Sequence, residues 1–183
     1  MAGNAPVETA PDRVVGPLRE FRLQQLEGLP QLQQAASAVQ SADYRVALAA
    51  LDAAVEYLHR FVSFNRAEEF TMFIAVDGVL GVVDATRIMK AQHASIAAMV
   101  GDLAQVVEAA RTDSDVEAYA RYLLPLLYGL YALIRAHSEA EDDAYVSVLD
   151  QALSESQVGM IIDNITRISQ GAAAPEPSGD YAP

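Results

Sequence analysis

Residues 126–150 read LLYGLYALIRAHSEAEDDAYVSVLD. Leu126, Leu130, Leu133, His137, Glu141, Ala144 and Val148 recur at steps of three and four, the spacing that brings side chains to one face of an α-helix. His137 and Glu141 therefore lie one turn apart on an apolar stripe. An ionisable group in such a place must be paired, hydrogen-bonded or bound to a metal, because burying a bare charge is costly.

Working outward, apolar residues keep helical spacing almost everywhere after Val14, and no segment alternates as a strand does. The chain reads as all-α. A first helix is expected from Val14 to Gln40, kinked at Gly28 to Pro30. Ser41 is the expected N-cap of a second, carrying residues 43–80 and stopping at Gly78 to Gly81. Asp84 is expected to cap a third, which ends at the polar run Arg111 to Ser114. The fourth spans Val116 to Ala152, with Pro125 a place to bend. Ser154 and Gln157 have the spacing of a capping box ahead of a short fifth helix containing Val158, Ile161, Ile162, Ile165 and Ile168. Short connections between long helices favour antiparallel neighbours, so the expected architecture is an up-down-up-down four-helix bundle with a short fifth C-terminal helix. It occupies residues 14–169, between a flexible N-terminal segment, 1–13, and a disordered Ala/Pro/Gly-rich tail, 170–183.

Composition narrows the chemistry. The chain has 183 residues, 52% of them hydrophobic, enough for one domain with a sizeable core. Its 12 Lys+Arg against 25 Asp+Glu give a net charge of −13, which argues against nucleic acid and anionic membrane surfaces as partners. There is no cysteine, so thiolate zinc sites, iron–sulfur clusters and Cys nucleophiles are excluded. No long uninterrupted apolar stretch is present, and residues 1–17 lack the basic and apolar regions of a secretory signal; the expected location is cytoplasmic. A glycine-rich phosphate loop and a Gly-x-Ser-x-Gly elbow are both missing, as is any nucleophile with an adjacent base. A classical enzyme is the third-ranked reading.

Two further stripes carry inward ionisable groups. Phe61, Phe64, Glu68, Met72 and Val76 place Glu68 on the apolar face of the second helix, with Glu69 about 100° away. Met89, His93, Ile96 and Val100 make His93 the lone polar member of the third. Any one of these alone is more often a satisfied core residue than a ligand. Together, Glu68, His93, His137 and Glu141 form a nitrogen and oxygen donor set suited to iron, manganese or zinc inside a bundle. Each His would then need its second ring nitrogen held by an acceptor. His59 falls at another angular position and is expected at the surface, while Tyr145, one turn after Glu141, could support the set from behind.

At these residues the sequence resembles the hemerythrin-like, or HHE cation-binding, family. The fragments that carry the likeness are residues 66–81, 85–96 and 126–150, and it covers roughly Val14 to Ile165. The resemblance implies a four-helix bundle around a non-haem di-iron centre, with roles in oxygen binding, iron or oxygen sensing, or handling of peroxide or nitric oxide. Position by position, it assigns metal contacts to Glu68, His93, His137 and Glu141. The sequence also departs from the pattern: the family's histidine four residues before the second-helix Glu is Phe64 here, and the first-helix histidine aligns with Gln31.

Two readings follow. In one, a degenerate site holds non-haem iron, mononuclear or as an incomplete di-iron centre, and open positions take water or a small ligand such as dioxygen. In the other, the fold is kept without metal and works as an interaction or structural module, with Phe64 filling the former pocket.

Overall fold

A computed structural model of the chain describes residues 14–41 and 43–173; the readings of residues 1–13 and 174–183 lie outside them. The described residues form an all-α bundle without strands, comprising α1 (Gly16–Gln25), α2 (Pro30–Gln40), α3 (Tyr44–Glu69), α4 (Met72–Leu80), α5 (Arg87–Thr112), α6 (Val116–Glu141), α7 (Ser147–Ala152) and α8 (Glu155–Ser169). A π-helical segment, Asp142–Val146, joins α6 to α7. The four helices α2, α3, α5 and α6 pack as a ring, with α8 laid against α3 and α1. Contacts at both ends show that α3 and α5 run antiparallel. Glu69 at the end of α3 meets His93 near the start of α5, while Asp52 near the start of α3 pairs with Arg111 at the end of α5.

The expected first helix is two. A turn at Leu26 to Leu29 separates α1 from α2, and Pro30, which lacks an N–H to contribute, opens α2. Gly28 is required there, because a Cβ on it would fall 2.2 Å from Tyr57 Cδ2. We expect Gly28→Ala to destabilise the fold by ~1–3 kcal/mol through this overpacking, as measured by denaturant melts.

Two expected caps are corrected. Asp43, not Ser41, caps α3, accepting from the N–H groups of Arg45 and Val46 at 3.1 and 3.2 Å. The Ser41 hydroxyl instead donates to the Ala38 carbonyl and closes α2. Asp84 has φ +62°, and its carboxylate meets Lys90 Nζ rather than capping α5. The residue next to α5, Thr86, is held from α4, with its N–H donating to Asp77 Oδ1 at 3.1 Å. The second helix also breaks at Phe70 and Thr71, where the buried Thr71 hydroxyl donates to the Ala67 carbonyl. Its expected stop is in place: Gly81 takes the left-handed conformation that ends α4. The Ser154/Gln157 capping box is formed.

Apolar burial falls into two clusters. One joins Leu51, Leu58 and Phe61 of α3 to Ile96 and Leu103 of α5 and Leu127 and Ile134 of α6. The other joins Leu18, Phe64, Phe73, Met89, Tyr145, Leu149 and Ile161. Along α5 the passage from one to the other is Met89, His93, Ile96; along α6 it is Ile134, His137, Glu141. The polar residues form a layer where the two apolar clusters meet.

Candidate metal centre

Burial brings the four candidate residues together. Glu68, His93, His137 and Glu141 are 0–4% exposed. The His93 and His137 Nε2 atoms are 3.0 Å apart, Glu141 Oε2 is 3.3 Å from His137 Nε2, and Glu68 Oε2 is 3.9 Å from His93 Nε2. His93, His137 and Glu141 each offer a ligand atom within 4.8 Å of the other two. Each helix supplies its residue for the reason read from the sequence, an ionisable side chain on the buried stripe.

The opposite ring nitrogens are held. His93 Nδ1 lies 2.9 Å from Glu69 Oε1, and His137 Nδ1 lies 2.8 Å from Gln92 Oε1. Both partners are acceptors, so each ring donates outward from Nδ1. With Nδ1–H on both neutral rings, the two Nε2 lone pairs turn toward each other, an arrangement that a cation between them would relieve. It can be a proton on one ring or a metal shared by both. Glu68 Oε2 and Glu141 Oε1 are buried without a hydrogen-bond partner, a further sign that this donor set suits a cation.

His93 is also fixed from the side. Phe73 stacks on its ring at 5.1 Å between centroids, and Tyr145 meets Phe73 edge-on at 5.7 Å. Tyr145 thus supports the set through Phe73, while its hydroxyl donates to the Ala85 carbonyl. Burial lowers the His93 pKa to about 3, keeping this ring neutral at neutral pH.

A residue absent from the sequence reading completes the cluster. Arg22 of α1, buried to 93%, donates from Nη1 to Glu68 Oε1 and from Nη2 to Glu141 Oε2, the latter at 2.7 Å. Burial opposes its charge, but the two carboxylates outweigh burial and raise its pKa. Burial likewise pushes Glu68 up, against the pull of Arg22. For Glu141, Arg22 and His137 overcome burial and hold the carboxyl at about 2. The signal for Arg22 was in the sequence: Leu18, Arg22 and Leu26 step by four.

Gln31, aligned with a lost first-helix ligand, is not at the centre. It lines a separate hollow with Tyr57 and Phe61, and the first-helix residue that reaches the carboxylates is Arg22. Phe64 packs between Phe21 and Phe61, at centroid distances of 5.9 and 6.2 Å, and leaves a cavity of about 350 Å³. Arg22, Asn65, Glu68, His137 and Glu141 line that cavity, which opens between α1, α3 and α6. His59 is exposed, as expected.

The π-helical segment begins at Asp142, directly after Glu141. Its wider turn corrects the expected stripe, which placed Ala144 and Val148 inward. The extra residue moves burial to Tyr145, Val146 and Leu149, leaving Ala144 exposed.

The model of the hemerythrin HHE cation-binding domain matches residues 23–149. The chain belongs to the hemerythrin HHE cation-binding family. His93, His137, Glu141 and Glu68 all fall within the matched hemerythrin segment, whereas Arg22 lies immediately before it. No curated protein matches the chain. Among the described residues, no helix is long and apolar enough to cross a membrane.

Proposed function

We propose that this hemerythrin-family protein binds a single non-haem iron ion through His93 Nε2, His137 Nε2 and the carboxylates of Glu141 and Glu68. The observation that carries the reading is the pair of facing Nε2 atoms, 3.0 Å apart, each ring anchored on its far side by Glu69 or Gln92. Bound there, iron would supply Lewis acidity and one-electron chemistry toward a small ligand such as dioxygen. The chain's own part is to keep both rings oriented, to balance charge with two carboxylates and Arg22, and to admit small molecules through the cavity beside Phe64.

The Arg22 pairing also favours a second reading, a metal-free bundle in which one guanidinium already supplies the counter-charge of both carboxylates. Titration of chelator-treated protein with Co(II), followed by calorimetry and visible absorption, separates the two. The metal reading predicts saturation at one equivalent and loss of binding in His137→Ala. Gln92→Ala should bind about 10–100-fold more weakly, because the His137 ring loses its anchor, and His59→Ala should bind as the parent does. A flat titration favours the metal-free module.

A further inference from the structure

The carboxylate pair at the centre is shared between two kinds of cation. Glu68 and Glu141 each give one oxygen to a different nitrogen of the Arg22 guanidinium, Glu68 Oε1 to Nη1 and Glu141 Oε2 to Nη2. What they leave without a hydrogen-bond partner is one oxygen apiece, Glu68 Oε2 and Glu141 Oε1. His93, His137 and Glu141 each offer a ligand atom within 4.8 Å of the other two, and Glu68 Oε2 lies 3.9 Å from His93 Nε2, a donor set of the size that one ion takes.

Arg22 is fixed in this place. Leu18, one turn earlier on α1, is fully buried. Nη1 also lies 3.8 Å from Met72 Sδ. Arg19, on the preceding turn, pairs with Asp142 at 3.0 Å, just past Glu141, so two arginines tie α1 to the end of α6. The guanidinium is therefore a permanent positive charge between two buried carboxylates, and a second metal ion would need the same oxygens and meet a like charge. The cavity that Arg22 lines is also lined by Asn65, 2% exposed with neither amide atom hydrogen-bonded. It is an oxygen donor that the one-ion arrangement does not use.

We propose that Arg22 is a tethered cation standing in the place of a second metal ion, and that it sets the capacity of this centre at one. The inference rests on the metal reading above, and the metal count of the variants distinguishes the two. Removing the guanidinium frees Glu68 Oε1 and Glu141 Oε2 for a second ion in the cavity that Asn65 also lines.

The test is Co(II) titration of the full chain and of Arg22→Gln and Arg22→Lys, with bound metal per chain counted at saturation. The expected counts are one for the parent, two for R22Q and one for R22K, which keeps a positive charge at the site. Counts of one for both the parent and R22Q overturn the role of Arg22 and leave the metal reading standing. Zero for the parent overturns both, whatever R22Q binds. Should metal-free R22Q lose its helical circular-dichroism signal, recovery of that signal is followed against added Co(II). Completion at two equivalents supports the proposal, and completion at one, or no recovery, overturns it.

Discussion

Arg22→Gln in the metal-free protein is expected to cost about 3–5 kcal/mol, the range for removing one partner from a buried ion pair. Two carboxylates lose their shared counter-charge at once, in a buried layer of the bundle. For a chain of this size, the corresponding fall in melting temperature is on the order of 6–20 °C. Glu68→Gln should cost less. Burial already pushes the Glu68 carboxyl toward its protonated form, and the substitution leaves the Arg22 to Glu141 pair intact. A divalent metal should restore much of the lost stability in R22Q, since a ligand that binds only the folded state stabilises it by mass action. Scanning calorimetry with and without metal checks both parts. A loss below about 1 kcal/mol in R22Q would place this pair among weak surface contacts and contradict its burial.

Phe73→Ala should have an effect of similar size for a different reason. Phe73 is fully buried, stacks on His93 and receives the edge of Tyr145. Truncation leaves a cavity costing about 3–5 kcal/mol. It also frees the His93 ring on one face, so metal affinity should fall together with stability. Phe73→Leu refills much of the volume without the stacked ring, and should recover stability more than affinity. Equal recovery of both would show that His93 is held by Glu69 alone.

The sequence made the stripes legible because burial follows helical period so closely in this bundle. Phe61, Phe64, Glu68, Met72 and Val76 are all buried, as are Met89, His93, Ile96 and Val100. His137 and Glu141 likewise face inward together. What escaped notice depends on reach and on breaks in period. Arg22 sits on a buried stripe, but a long basic side chain usually carries its charge out to water, so its position alone did not announce a core residue. Glu69 points off the stripe, and only its side-chain length brings it to His93 Nδ1. Gln92 likewise precedes His93 on α5 yet serves His137 on α6, a contact between helices that no local pattern encodes. The π-helical segment has no sequence signature, and one extra residue there is enough to turn Ala144 outward.

The central claim is that one metal ion belongs between His93, His137, Glu141 and Glu68. Elemental analysis of the chain, produced with iron supplementation and purified without a chelating column, tests it most directly. The account predicts a metal content near one iron per chain, lost in His93→Ala and His137→Ala; less than about 0.1 metal per chain in the parent protein would contradict it.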